Sequence, residues 1–203
     1  MIKSITLAIT GASGSLYALA LLKQLCRYDL SIHLLISDAA KEVFRLEADL
    51  ILPKGKKKLK SFFLDLCQTR HQAQLQYYES QEWTAPVASG SNAPDAMVIC
   101  PCSMGTVSAI AHGASNNLIE RAADVMLKEN RKLLLVPREM PLSPIHLENL
   151  LKLSQLKVTV LPASPGFYHQ PQSIDDLINF VVARILDQLK LPQNMQARWG
   201  EEH

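Results

Sequence analysis

The chain has little of what would mark several large classes of protein. Cysteine occurs four times in 203 residues, too sparsely for the disulfide framework of a small secreted domain, so reduced thiols are expected at Cys26, Cys67, Cys100 and Cys102. Cys100-Pro101-Cys102 offers half a metal-binding pair, but no second ligand pair stands at zinc-like spacing, and no metal is expected. No apolar run approaches the ~18 residues of a membrane-crossing helix, so no membrane role is expected. The opening residues run from Met1-Ile2-Lys3 into a strand-like segment without the parts of a signal peptide, which points to a cytoplasmic location. Net charge is only +2, too small to argue for nucleic acid. The one dense basic stretch, 54–60, carries no interleaved aromatic residue and reads as a solvated loop and helix start.

What is present is a chain able to bury a core. Hydrophobic residues make up 48% and charged residues 20%, which excludes disorder and suits one globular domain. Short runs rich in Ile, Leu and Val at 5–10, 32–36, 96–100, 133–136 and 158–161 predict strands covered on both faces, with a further short strand at 75–78. Helical patterns lie between them at 16–27, 39–48, 59–70, 104–111, 118–128 and 144–153. A last helix carries Ile174, Leu177, Ile178, Val181, Val182, Ile185, Leu186 and Leu189 as one apolar stripe, and Ser173 with Asp176 approximates a capping box at its start. Alternation of this kind predicts an open, mainly parallel α/β sheet with helices on both faces, Rossmann-like or flavodoxin-like. Residues 1–192 are expected to form one α/β domain and 193–203 a C-terminal tail. The segment 83–92 reads as a functional loop.

In such sheets ligands bind outside the carboxyl ends of the strands. After the first strand comes Thr10-Gly11-Ala12-Ser13-Gly14, after the second Ser37-Asp38, and after the middle one Ser103-Met104-Gly105-Thr106. The next strand gives Pro137-Arg138-Glu139, and the last gives Pro165-Gly166-Phe167-Tyr168. Glycines and hydroxyls before helices favour an anion, because helix starts expose N–H groups. Arg138 lies on the same edge, so a phosphate pocket is expected there. The first turn lacks the second glycine of a dinucleotide fingerprint, and Ser13 in that place suits a single phosphate. Asp38 reads as a helix cap rather than a ribose ligand. Glu47 shares a helical face with Ala40, Val43 and Phe44, so it is expected either to pair with a cation or to hold a raised pKa. Glu139 points to the same edge, and one of the two carboxylates could move protons.

These motifs, together with Gly113-Ala114-Ser115-Asn116-Asn117-Leu118-Ile119-Glu120-Arg121-Ala122-Ala123-Asp124 and the run from Pro165 to His169, resemble the bacterial UbiX/Pad flavin prenyltransferases across essentially the whole chain. The resemblance implies an enzyme that joins a dimethylallyl group, from dimethylallyl monophosphate, to N5 and C6 of reduced FMN without a metal. The product would be the prenylated-FMN cofactor of a UbiD-type decarboxylase, in the context of ubiquinone biosynthesis. It implies a homo-oligomer, a dodecamer, with active sites at subunit interfaces. It places FMN contacts at Gly11, Ala12, Ser13, Ser37, Ser103, Met104, Gly105, Thr106 and Arg138. Prenyl-phosphate contacts fall on Tyr168 and Arg184, with Lys128 and Arg121 nearby, and Trp199 in the tail helps close the site. Ser13, Glu47 and Glu139 match the proton-handling residues.

The chemistry is consistent with these residue types. A departing phosphate needs fixed positive charge and donors, which Lys128, Arg184 and Tyr168 can supply. Aromatic faces, the flavin's own and those of Trp199 or Trp83, suit an allylic cation. Loss of a proton at C6 needs a carboxylate, and Glu47 and Glu139 stand as alternatives. Two other functions compete: an FMN-dependent decarboxylase of the same fold, and a non-catalytic flavin-binding protein. The loop Cys102-Ser103-Met104-Gly105-Thr106 disfavours the first, and the cations and carboxylates beyond the flavin contacts disfavour the second.

Overall fold

A computed structural model describes residues 2–67 and 75–196. Six strands form one sheet in the order β3-β2-β1-β4-β5-β6, with every pair parallel. The strands are β1 (Ser4–Ile9), β2 (Ser31–Ile36), β3 (Leu75–Tyr78), β4 (Ala96–Cys102), β5 (Lys132–Pro137) and β6 (Thr159–Val160). The helices are α1 (Ser15–Leu25), α2 (Asp38–Ala48), α3 (Lys56–Cys67), α4 (Met104–Ala111), α5 (Leu118–Lys128), α6 (Pro144–Gln155) and α7 (Ile174–Gln188). The expected open parallel sheet is found, and its order is the Rossmann one.

Alternation along the strands sorts the core into two layers. Ile5, Leu7 and Ile9 of β1 pack with Leu34, Val98, α1, α2, α3 and α7. Ala8, Leu35, Met97 and Ile99 face the other way, towards α4, α5 and α6. With helices on both sides, every residue of β4 is buried, which explains why these strands show no polar alternation. Phe44 of α2 and Phe63 of α3 are both fully buried with ring centroids 6.2 Å apart. Truncating either to Ala should cost about 3–5 kcal/mol.

Element ends differ from the sequence reading where tertiary pairing outweighs pattern. β4 runs on through Pro101 to Cys102, where its pairing with β5 shifts register, the irregular setting in which a strand accommodates proline. β6 is only two residues long, being an edge strand with one neighbour. α3 begins at Lys56, three residues before its first buried leucine, and its expected end at Arg70 lies outside the described residues. The capping box of α7 is present: Ser173 Oγ accepts from Asp176 N at 3.2 Å, and Asp176 Oδ2 accepts from Ser173 N at 2.9 Å.

The strand order reverses between β1 and β4, so the loops after these strands diverge and leave a crevice at the carboxyl edge of the sheet. Among the described residues no helix is long and apolar enough to cross a membrane.

Candidate active site

At the crevice, the ends of β1 and β4 are tied by one side chain. Thr10 is buried, and its N–H and its Oγ1 both donate to Pro101 O, at 3.2 and 2.9 Å. The same Oγ1 accepts from Ser103 N at 2.8 Å. The loop Gly11–Ser13 that follows is pressed against α2: a Cβ on Gly11 would lie 2.5 Å from Ala39 Cβ. Only glycine fits there.

The start of α1 is not free for a phosphate. Gly14, with φ 121°, turns the chain so that its N–H and that of Ser15 point at the Glu47 carboxylate. The oxygens accept from Gly14 N at 2.9 and 3.1 Å, from Ser15 N at 2.8 Å and from Ser15 Oγ at 2.8 Å. Glu47 is solvent-exposed and reaches across from α2 to cap α1, neither buried on the apolar face nor paired with a cation. Desolvation works to raise its pKa, but hydrogen bonds from the Ser13 side chain, the Gly14 and Ser15 N–H groups and the Ser15 hydroxyl outweigh it and hold the carboxyl below its ordinary value. The expectation of a raised pKa is therefore corrected. The helix-start donors that suggested a phosphate at the first turn are already taken.

The other helix starts on this edge remain open. The cap of α2 is Ser37 and not Asp38 as expected: Ser37 Oγ accepts from Ala40 N at 3.1 Å, while Asp38 is the first helical residue and pairs with Lys41 on the surface at 2.7 Å. Ser103 caps α4, accepting from Thr106 N at 3.3 Å, with the Thr106 hydroxyl 3.0 Å from its own. The N–H groups of Met104 and Gly105 precede the first intrahelical bonds. Met104 is buried, but a Cβ built on Gly105 meets nothing within 4 Å. Beyond β4, Arg138 follows β5; its Nε is buried with no hydrogen-bond partner among the described residues. A buried guanidinium N–H left unpaired is costly, and an anion or carbonyl on a bound ligand would satisfy it. Open space at Gly105, a capped helix start and an unpartnered arginine on one strand edge suit an anionic planar ligand such as FMN. Glu139, next to Arg138, is exposed, and its carboxylate accepts from Met140 N at 3.2 Å.

The expected prenyl-phosphate residues fall into two groups. Tyr168 and Arg184 belong together through Phe180: the Tyr168 ring meets Phe180 edge-on at 5.8 Å. Phe180 and Arg184, one turn apart on α7, line a cavity of about 240 Å³ against β6. Arg184 pairs with Asp187 at 2.8 Å. Lys128 is elsewhere. α5 runs back antiparallel to the strands, so its last residue lies at their amino ends, beside Glu129 and Gly90, whose Cβ would sit 2.7 Å from Lys128 Nζ. Arg121, earlier on α5, donates to Ala88 O at 3.1 Å and pairs with Asp124 at 2.9 Å. Within one chain Lys128 therefore lies on a different edge from Arg184. Trp199 lies outside the described residues.

Two contributors were not singled out from sequence. Ser15 reads as an ordinary first helical residue, and only the fold shows its hydroxyl on Glu47. His169 stacks on Phe180 at 4.9 Å and meets Tyr168 edge-on at 4.3 Å, bracing that ring. Burial pushes the thiols of Cys100 and Cys102 well above their ordinary range, which suits packing rather than chemistry. Among the described residues no group of three or more His, Cys, Asp or Glu could hold a metal ion.

A profile of the family described as Flavoprotein matches residues 1–186. The chain is 57% identical over 199 residues to the flavin prenyltransferase UbiX of Pseudomonas aeruginosa, which covers 98% of this chain and 95% of that one. A solved dodecameric FMN-dependent Ubix-like decarboxylase from Escherichia coli O157:H7 matches with a TM-score of 0.83 and 39% identity, over 97% of this chain and 98% of that one. AnUbiX (PadA1), solved in complex with FMN and dimethylallyl pyrophosphate, matches with a TM-score of 0.87 and 36% identity over 100% of both chains.

Proposed function

Because the chain belongs to the flavin prenyltransferases of the flavoprotein family, we propose that it joins the dimethylallyl group of dimethylallyl monophosphate to N5 and C6 of reduced FMN. The observation that carries the flavin assignment is the unpartnered, buried Nε of Arg138 on the strand edge that also bears the open start of α4. FMN is held by Gly11, Ala12 and Ser13, by Ser37, and by Ser103, Met104, Gly105 and Thr106, with Arg138 donating to it. Bound there, it supplies the nucleophilic ring positions that take the prenyl group.

The chain's own residues handle the phosphate and the proton. Breaking the allylic C–O bond leaves the electron pair on phosphate, which Tyr168 and Arg184 bind through their hydroxyl and guanidinium. Lys128 and Arg121 serve the same phosphate from a neighbouring copy, since α5 carries Lys128 away from Tyr168 within one chain. A homo-oligomer, a dodecamer as in the Escherichia coli relative, supplies that neighbour. Ring closure requires a proton delivered to the prenyl C=C, which makes its branched carbon the electrophile for C6, and then removal of the C6 proton; Glu139, exposed beside Arg138, is the carboxylate we assign to this proton transfer. Glu47, held below its ordinary pKa by N–H donors, is a weaker base, and with Ser13 it fixes the first turn.

Residues 1–192 form the FMN-binding unit and 193–203, with Trp199, help close it. The product is passed to a UbiD-type decarboxylase in the cytoplasm, in the context of ubiquinone biosynthesis. The test is anaerobic incubation with reduced FMN and either dimethylallyl monophosphate or the pyrophosphate, followed by mass spectrometry of the flavin. A flavin carrying one dimethylallyl unit is expected with the monophosphate. Tight FMN binding without an adduct from either donor would reduce the protein to a flavin carrier.

A further inference from the structure

Thr10 joins the two loops flanking the crevice. It stands immediately before the Gly11–Ser13 turn, and its hydroxyl is used twice: it donates to Pro101 O at 2.9 Å and accepts from Ser103 N at 2.8 Å. Its backbone N–H also reaches Pro101 O at 3.2 Å. Ser103 is the cap of α4, with its Oγ accepting from Thr106 N. The Thr10 hydroxyl thereby sets the direction of the Ser103 N–H, and through it the seat of the capping hydroxyl and the helix start behind it. The backbone bond from Thr10 N to Pro101 O holds the strand ends together, and the side-chain hydroxyl extends that tie by two residues, to Ser103 N.

We propose that Thr10 is a positioning residue for FMN, holding the β1 and β4 loops in register so that the N–H groups at the start of α4 face the flavin site. It acts through Ser103 and has no contact of its own with the ligand. The inference rests on the FMN reading of this edge. The cavity that Arg184 lines against β6 includes no residue of the β1 or β4 loops, so prenyl-phosphate binding should not feel the change.

The perturbation is Thr10→Val, which keeps the shape and removes both side-chain bonds, with Thr10→Ser as the rescue and Thr10→Ala as a second loss-of-hydroxyl variant. Full-length purified protein is titrated with FMN, followed by flavin fluorescence, and the KM for reduced FMN and for dimethylallyl monophosphate is measured separately. Thr10→Val and Thr10→Ala are expected to weaken FMN at least about tenfold, the order of one unmade buried hydrogen bond. The KM for the prenyl phosphate should stay unchanged, and Thr10→Ser should restore FMN binding. Wild-type FMN affinity in folded Val and Ala variants would overturn the proposal, as would a Ser variant as weak as Val. Equal losses for both substrates would also overturn it, by making the effect a general loosening. If neither hydroxyl-free variant folds, Thr10 is a determinant of the fold and the proposal fails. Failure of the wild type to bind FMN would instead refute the functional reading on which this rests.

Discussion

Replacing Glu47 separates a structural carboxylate from a catalytic one. In the folded protein its two oxygens take the N–H groups of Gly14 and Ser15 and the Ser15 hydroxyl, so Glu47→Ala removes the cap of α1 from outside the helix. Loss of an N-cap costs about 0.5–2 kcal/mol, and a hydrogen bond to a charged group contributes about 1.5–3 kcal/mol. Glu47 is exposed and water can replace part of what it provides, so about 1–2 kcal/mol is expected. Glu47→Gln should recover part of it, because Oε2 alone accepts from Gly14 N, Ser15 N and Ser15 Oγ, and the amide oxygen can take that place without the charge. The pH dependence follows from the depressed pKa. The stabilisation is fully present above the ordinary carboxylate pKa of about 4.3 and is lost as pH falls through the lowered folded value. Urea unfolding of wild type and both variants, at neutral pH and across the acidic range, reads this directly. The stability gap between wild type and Glu47→Ala should close as the carboxyl protonates. A Gln variant no more stable than Ala at neutral pH, or a gap that does not change with acid, would refute the cap. Turnover should fall in both variants while FMN still binds, because the Ser13 turn is displaced and the flavin seat is not removed.

Three further outcomes follow from separate features. Gly105→Leu meets open space in the ligand-free chain and should fold with stability equal to or greater than wild type, glycine being poor in helices by about 0.5–1 kcal/mol; flavin titration should nonetheless show FMN binding abolished, since the added side chain occupies the ligand's place. Arg184→Ala should raise the KM for dimethylallyl monophosphate by at least about tenfold, as loss of a charge-assisted bond implies, and leave FMN affinity unchanged; steady-state kinetics with each substrate varied in turn checks it. Burial on β2 lowers the pKa of His33, so its stabilising contribution is complete above the ordinary histidine value of about 6.5 and is lost as pH falls towards the folded value. His33→Leu should flatten that slope in urea midpoints measured between pH 7.5 and 5.5, about the range in which histidine titrates.

The parts of the site that the sequence made legible are those written locally. A serine or glycine directly after an apolar strand announces a cap or turn, and Ser103 and Gly11 stand where that rule puts them because strand ends and helix starts are contiguous in the chain; the cap read at Asp38 falls one residue earlier, on Ser37. Arg138 is legible for the same reason. The parallel sheet and its two-sided burial were legible from Ile, Leu and Val runs without polar alternation, whereas the order of the strands and the extension of β4 through Pro101 were not, since order is set by tertiary pairing and proline signals an end unless the neighbour's register shifts.

Glu47 and Lys128 fall outside this local rule, and each for a distinct physical reason. Spacing placed Glu47 on the face of Ala40 and Phe44, but helix periodicity fixes only an angle around the axis. A glutamate side chain near the end of α2 is long enough to leave that face and reach a helix start 32 residues earlier, where N–H donors outweigh the desolvation that the apolar face would have imposed. Lys128 differs in another way. Its identity suits a phosphate, but a helix between parallel strands must run back against them, so a residue at its end belongs to the amino edge whatever its chemistry. A second anion site that needs both Lys128 and Arg184 is consequently a statement about neighbouring copies: only an assembly that brings the amino edge of one chain to the β6 flank of another completes it. The order of the elements thus assigns each cation to its edge of the sheet, and the proposed function requires association between chains to bring Lys128 to the phosphate at Arg184.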